Sequence, residues 1–558
     1  LSVLSPSTAL FSAASRTGLP LGWWCAGSSR PVRETVEVRQ FLGSVHEPLY
    51  VVQANGGLSV ARSGVATLGD RRPEAESMPL LGIVPPTSPR QLGDVSFCRD
   101  HRLQWAYMSG AMAGGIASEA VVEAMARGGM LGIFGSAGLG LSRVDQAIHR
   151  IQQNVAGAAY GLNLIHSPGE PGLERAITDL YLQRGVRLIE ASAFLDLTPN
   201  VVRFRLHGIH RGPDGRLVTP NRVIAKVSRV EVASKFLAPA PAKILSELVA
   251  SGELTAEQAQ LAEHVPVAQD ITGEADSGGH TDNRPLVALL PTLLALRDRM
   301  MERHRYAEPL RVGAAGGIST PASAAAAFAM GAAYIVTGSV QQACVESGTS
   351  DLVRQMLAEA EQADCIMAPA ADMFEMGVKL QVLKRGTMFA MRAAKLYELY
   401  RQYSGLDALP AADRINLEKT LFRIPLEEVW RQTQEYFTVR DPGQIARAEK
   451  DAKHKMALVF RWYLGQSSRW ANLGEESRRL DYQIWCGPAM GAFNEWTRGT
   501  FLEEPRNRQV LTVGYNLLYG AAVTLRLQSL RCAGFPVTPE LERIAPRPLS
   551  ELSSMLHH

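Results

Sequence analysis

Cysteine is scarce: Cys25, Cys98, Cys344, Cys365, Cys486 and Cys532 are the six in 558 residues, far apart and with no C-x-x-C pair. That spacing argues against a zinc site or a disulfide framework and for a reducing, cytoplasmic setting. An excess of one charge is also missing: 58 Lys+Arg face 55 Asp+Glu, a formal +3, so the bulk electrostatics call for neither nucleic acid nor an anionic membrane. No run of about 18 uninterrupted apolar residues occurs. The nearest, residues 321–340, is broken by Gly331, Thr337 and Gly338, and no membrane span is expected. The opening LSVLSPSTALFSAASRTGLPLGWW lacks an initiator Met and the Lys/Arg-then-apolar order of a signal peptide, so it looks like a trimmed start with little claim to order.

What is present is a globular composition, 46% apolar, 20% charged and 7% aromatic. The length suits two to four units of roughly 100–200 residues, or one α/β barrel of about 250 with additions. Residues 1–95 hold many Gly, Pro and Ser with a strand-like run at Pro48–Gln53 and a turn at Asn55-Gly56-Gly57, and read as an accessory segment. From Gln104 short apolar runs alternate with amphipathic helical windows. Strands are expected at Trp105–Met108, Met130–Phe134, Tyr160–Ile165, Val186–Ala191, Arg222–Val227, Val265–Ile271, Leu310–Ala315 and Ala333–Thr337. Ser118 caps one intervening helix and Ser142, with Asp145 three residues on, another; a hairpin turn falls at Pro213-Asp214-Gly215. Eight βα units with continuously apolar strands give an α/β fold, a TIM (β/α)8 barrel over 96–348, with an open doubly wound sheet as the competing architecture. Beyond Gly348 the strand signal ends. Windows such as Phe389, Ala393, Leu396 and Tyr400 describe a helical substrate or lid domain over 349–540, followed by a tail at 541–558.

Barrels of this kind place their chemistry after the carboxyl ends of the strands. There, Ala315-Gly316-Gly317-Ile318-Ser319 and Thr337-Gly338-Ser339 put small residues and free backbone N–H groups after the seventh and eighth strands, a phosphate-site signal against which stands the plain use of glycine in tight turns. Ser109-Gly110-Ala111-Met112-Ala113-Gly114-Gly115 follows the first strand with almost no bulk, and a flat ring can lie against it. Asn163 and Lys226 sit where they can reach such a ring's polar edge; an amide at a strand end can equally tie down a loop, and a strand lysine is costly unless its ammonium finds a partner at the mouth. The sixth strand runs into Gly278-Gly279-His280. The glycines allow a close approach, and His280 is the group there whose ordinary pKa suits proton donation. Glu274 and Asp276 either orient it or solvate the loop.

The combination SGAMAGG, NLIHSP, GEADSGGH, AAGGIS and VTGS resembles the FMN-dependent nitronate monooxygenase (2-nitropropane dioxygenase) and flavin enoyl reductase superfamily. EASAF at 190–194, AKVSR at 225–229, GEADSGGHTDNRP, the stretch MAPAADMFEMGVKLQVLKRGTMFAMRAAKLYELY and IWCGPAMGAFNEW are similar to the PfaD-type trans-acting enoyl reductases of polyunsaturated fatty acid synthases and of polyketide synthases without integral acyltransferases. The resemblance implies reduction of 2-enoyl thioesters on an acyl carrier protein with NAD(P)H, NADPH favoured, through FMN and without a metal. It places the flavin ring near Ala111 and Met112, its polar edge near Asn163 and Lys226, Gly278 and Gly279 beside it, and its phosphate between Gly316-Gly317 and Gly338-Ser339. His280 would be catalytic, polarising the thioester oxygen or relaying the α-proton. The alternative is a nitronate monooxygenase-type oxidase. An acidic carrier protein needs a basic landing area, and twelve cations from Arg440 to Arg508, Lys453 and Lys455 among them, face nine acids, leaving +3, which reads more simply as a solvated helix face. Apolar stripes on these helices suit packing on the barrel or a homodimer seam.

Overall fold

The computed structural model describes residues 20–28, 30–168 and 170–556; most of the opening segment that looks like a trimmed start lies outside them. The chain divides into two compact units. One combines described residues of Leu1–Pro89 with Tyr519–Ile544 and Leu549–His558, the other Arg90–Leu518 with Ala545–Pro548.

The first unit carries a five-stranded antiparallel sheet in the spatial order Gly57–Ala61, Leu49–Ala54, Met78–Val84, Gly22–Ala26, Gly64–Leu68. Asn55 (φ 49°) and Gly56 (φ 76°) make the expected two-residue turn, in which both central residues need a left-handed backbone. The helix Val510–Cys532, whose second half belongs here, is long and apolar enough to cross a membrane, but 83% of its most apolar window is buried. A search for uninterrupted apolar runs misses it because Thr512, Asn516, Thr524 and Arg526 punctuate it. Arg526 is itself buried, donating to the carbonyls of Leu42 (3.1 Å), Glu47 (2.8 Å) and Pro85 (3.1 Å), a set of partners that a buried guanidinium requires.

The second unit is built on eight parallel strands: β1 Tyr107–Ser109, β2 Leu131–Phe134, β3 Gly161–Ile165, β4 Leu188–Ser192, β5 Arg222–Val227, β6 Asp270–Glu274, β7 Arg311–Ala315 and β8 Ile335–Thr337. Each pairs with the next, and β8 closes on β1. The fold is therefore a TIM-type barrel. Local sequence explains much of it. Ser118 Oγ accepts the Val121 N–H (3.2 Å) to start the helix Glu119–Arg127, and Gly129 at φ 68° turns the chain into β2. The helix Leu141–Asn154 differs from expectation: it starts after Gly140, so Ser142 lies inside it and caps nothing. β6 also starts later than Val265, because Val267 and Ala268 are buried like strand residues while their N–H groups bond to the carbonyls of Ala238 and Phe236, at and just beyond the end of the helix Val230–Phe236, instead of a ladder.

The amino ends of the strands are tied by charge. Asp270 accepts from Arg311 Nε (2.5 Å) and contacts His101 Nε2 (2.8 Å), and Arg311 reaches Asp100 (2.7 Å). This network opens β6 and β7 at the face opposite the carboxyl ends, where barrels keep stability rather than chemistry.

Strand structure does not end at Gly348. Cys365–Pro369 and Lys379–Leu383 pair antiparallel, and Lys379–Leu383 pairs in turn with Gly279–His280 from the loop after β6. This three-stranded sheet stitches the barrel to the following helices Phe389–Gln402, Leu426–Arg440 and Ala452–Leu473, which share a core of Phe389, Ala393, Leu396, Val429, Phe460 and Tyr463. Barrel and helices accordingly fall in one unit. Residues 90–518 lie in one compact unit, and Tyr519–Ile544 groups with the amino-terminal part of the chain.

Candidate active site

At the carboxyl ends of the strands, Lys226 on β5 and Glu274 at the end of β6 form an ion pair (3.2 Å), so the strand lysine has the partner its burial demands. Burial alone would push the Lys226 pKa down; the charge and hydrogen bond of its partner Glu274 lead the effects that outweigh this and hold it above the usual lysine value. Glu190 on β4 is fully buried. Its Oε2 accepts the Ala111 N–H (3.1 Å), while its Oε1 has no hydrogen-bond partner. Asn163 on β3 spends both amide hydrogens inside the barrel, on the Glu190 carbonyl (3.0 Å) and Ser192 Oγ (3.0 Å), so it ties β3 to β4 and only its Oδ1 is left for a ligand.

His280 extends from the short strand after β6, and its Nε2 lies 3.1 Å from Asp372 Oδ1, each side chain 31% exposed. Desolvation lowers the His280 pKa, but Asp372 and then Glu274 more than reverse this and leave it above the ordinary imidazole value; Asp372 is correspondingly held low by His280 against its own desolvation. The carboxylate paired with the imidazole is thus neither Glu274 nor Asp276, the two expected from the sequence. Glu274 is taken by Lys226 and Ser277 Oγ (3.2 Å), Asp276 by Asn283 and Gln381 (both 2.8 Å).

The glycines fall into two groups. At Gly278 a Cβ would lie 2.8 Å from the backbone N of Cys486, and at Gly316 2.7 Å from the carbonyl carbon of Ala275, so both serve close approach of the chain to itself. The Cβ side of Gly278 is filled by the Cys486 backbone, which leaves Gly278 only its backbone to offer a ligand. The Cys486-Gly487 segment also reaches the turn after β8: the Gly487 N–H donates to Ser339 Oγ (3.1 Å). Around Gly279 (φ 83°), Gly317 (φ 72°) and Gly338, by contrast, nothing lies within 4 Å of the absent Cβ.

A flavin phosphate and ring make definite demands, and the rim meets several. Gly317 and Gly338 follow β7 and β8 with open space in front of them, as a phosphate held on backbone N–H groups requires. Ala111 and the left-handed Gly114 and Gly115 line the β1 side without bulk, with Met112 the one large side chain between them. Buried Ser109 Oγ, Ser319 Oγ and Glu190 Oε1, near the carboxyl ends of β1, β7 and β4, lack partners, as polar atoms awaiting a ligand do. The ammonium of Lys226 can compensate negative charge on a reduced ring.

Residues 104–401 match the family model for nitronate monooxygenase, more than half of the chain. The chain belongs to the nitronate monooxygenase family. Beyond the family's barrel, residues 403–482 match the inserted helical domain of [acyl-carrier-protein] S-malonyltransferase. Among curated proteins, the chain is 49% identical over 456 residues to a polyunsaturated fatty acid synthase polypeptide of Thraustochytrium sp., covering 80% of this chain and 30% of that one. It is 46% identical over 442 residues to the polyketide biosynthesis protein PksE of Bacillus subtilis, covering 79% and 57%. The chain thus spans under a third of the first and little over half of the second. Among solved structures, the enoyl reductase domain of MlnA from the macrolactin biosynthesis cluster of Bacillus amyloliquefaciens matches with a TM-score of 0.75 and 41% identity, over 79% of this chain and 99% of that one.

Proposed function

We propose that the chain is an FMN-dependent enoyl reductase that acts in trans on 2-enoyl thioesters held by an acyl carrier protein, in polyketide or polyunsaturated fatty acid assembly, with NAD(P)H as reductant. The observation that carries the reading is the meeting, at one rim, of the His280–Asp372 pair (3.1 Å) with the open glycine loops after β7 and β8, in a chain 41% identical to a protein that is itself an enoyl reductase domain. The synthase relatives and the helical region matching a carrier-protein transferase insert support a carrier-bound substrate.

Bound FMN would supply the hydride-transfer chemistry between NAD(P)H and the enoyl β-carbon. The chain's residues do the rest. Gly317, Gly338 and Ser339 would hold the FMN phosphate, the Lys226 ammonium would offset negative charge on its ring, and the run from Ala111 would lie against the ring. His280, whose protonated form the Asp372 carboxylate favours, donates to the thioester oxygen as enolate charge develops or passes a proton to the α-carbon. Asp372 keeps the imidazole's other nitrogen, Nδ1, as the one free to act.

Anaerobic titration tests the reading. NAD(P)H should bleach the yellow protein, and a crotonyl thioester should restore its colour without oxygen. Recovery with oxygen or a nitronate only would favour the oxidase chemistry after which the family is named.

A further inference from the structure

Glu190 is a carboxyl inside the barrel without an assigned task. Its Oε2 is engaged by the Ala111 N–H at 3.1 Å, and its Oε1 is buried and without a partner. That free oxygen faces the small-residue run after β1: a Cβ on Gly110 would stand 3.6 Å from it. The charged groups around it are few. Lys226 on β5 pairs with Glu274 on β6 at 3.2 Å, and among the described residues no cation stands within 4.0 Å of the Glu190 carboxyl. Asn163 on β3 donates to the backbone carbonyl of Glu190, not to its side chain. Tyr334, also within electrostatic reach, is buried and keeps its own proton.

A fully buried carboxylate without a counter-ion is costly enough that the group takes up a proton instead. Consistent with this, burial drives the Glu190 pKa up, Glu274 adds to the rise, and Lys226 with the Ala111 N–H opposes it only in part. A neutral carboxyl has one oxygen that accepts and one that donates. With Oε2 accepting from Ala111, the O–H falls on the oxygen that has no partner.

We propose that Glu190 is a cofactor-contacting neutral acid, donating its Oε1–H to an acceptor atom on the polar edge of the flavin ring while its other oxygen holds the loop after β1. This rests on the flavin reading. It adds a donor from β4 to the cation from β5, both aimed at a heteroaromatic ring that carries carbonyl or imine acceptors.

Glutamine reproduces that pattern, its carbonyl accepting from Ala111 and its NH2 donating to the ring, whereas alanine removes both. Apoprotein titrated with FMN, followed by quenching of flavin fluorescence, should give a Kd for E190Q within about two-fold of wild type and for E190A about ten-fold weaker, the size of one net hydrogen bond. An infrared difference spectrum should show the carbonyl stretch of a protonated carboxylic acid at neutral pH that is missing from E190Q. E190Q as weak as E190A, E190A equal to wild type, or no such band in wild type would each overturn the proposal. Should E190A fail to fold, E190Q and the band decide it. Wild-type apoprotein that does not bind FMN would instead defeat the flavin reading itself.

Discussion

Replacing Asp372 with Asn keeps the shape and a hydrogen-bonding oxygen beside His280 but removes the charge. The contact is 3.1 Å long between side chains each about a third exposed, so solvent screens part of it. A hydrogen bond to a charged partner contributes about 1.5–3 kcal/mol, which at 1.36 kcal/mol per factor of ten is about a ten- to hundred-fold effect on a step that needs the imidazolium. The sign follows from the raised His280 pKa: the acid form is fully present below the ordinary imidazole range and is lost as pH rises through the raised value. In D372N the loss should therefore begin at lower pH. Profiles of kcat/KM for a crotonyl thioester should show the alkaline limb moving toward acid, with activity about ten- to hundred-fold down above neutrality and largely recovered in mild acid. An equal loss at every pH, or a limb that does not move, would refute the claim that Asp372 works by holding a proton on His280.

Other substitutions separate the roles of the rim. H280A should retain bound FMN and its reduction by NAD(P)H, while enoyl reduction, followed by stopped-flow reoxidation, slows by about 10²- to 10⁴-fold as for loss of a general acid. G317V should weaken FMN binding by at least about ten-fold, since a branched side chain would enter the open space at φ 72° and strain the backbone by roughly 1–2 kcal/mol; the fluorescence titration reads this directly. D270N should leave the spectrum of bound flavin unchanged and lower stability by about 3–5 kcal/mol in denaturant unfolding, because it leaves buried Arg311 with Asp100 as its remaining counter-charge. K453E should lower Tm rather than carrier-protein affinity, because the Lys453 ammonium donates to the carbonyls of Tyr400 and Tyr403 and lies over the Tyr400 ring (4.3 Å).

The barrel was legible because its strands are short apolar runs between capped, amphipathic helices, and Arg222–Val227 falls where the pattern puts it. The start of β6 was not, since burial is visible in composition while the choice of hydrogen-bond partner is not. The sheet of Cys365–Pro369 and Lys379–Leu383 escaped for a related reason: two five-residue strands stabilised by a distant loop leave little local periodicity. With that sheet hidden, Asp372, in the connection between its strands, could not be matched to His280, 92 positions away. Glu190 opens the EASAF motif, yet only its burial and orphaned oxygen mark it as more than a strand residue. About half of the basic run from Arg440 to Arg508 is internal wiring, while Arg447, Lys450, Arg469, Arg479, Arg498 and Arg506 are exposed. Arg508 is buried against the Leu502 carbonyl (2.8 Å), Arg478 holds the Leu421 carbonyl (2.7 Å), and Arg440 pairs with Glu170 (2.7 Å). Counting charges along a sequence cannot separate such ties from a docking face.

The central claim is that one rim of the barrel, between the loops after β1, β7 and β8 and beneath His280, holds a flavin mononucleotide. The visible spectrum of the purified protein, with identification of whatever denaturation releases, tests it most directly. A yellow protein yielding about one FMN per chain is the predicted result. A correctly folded protein that stays colourless and takes up no added FMN would contradict it.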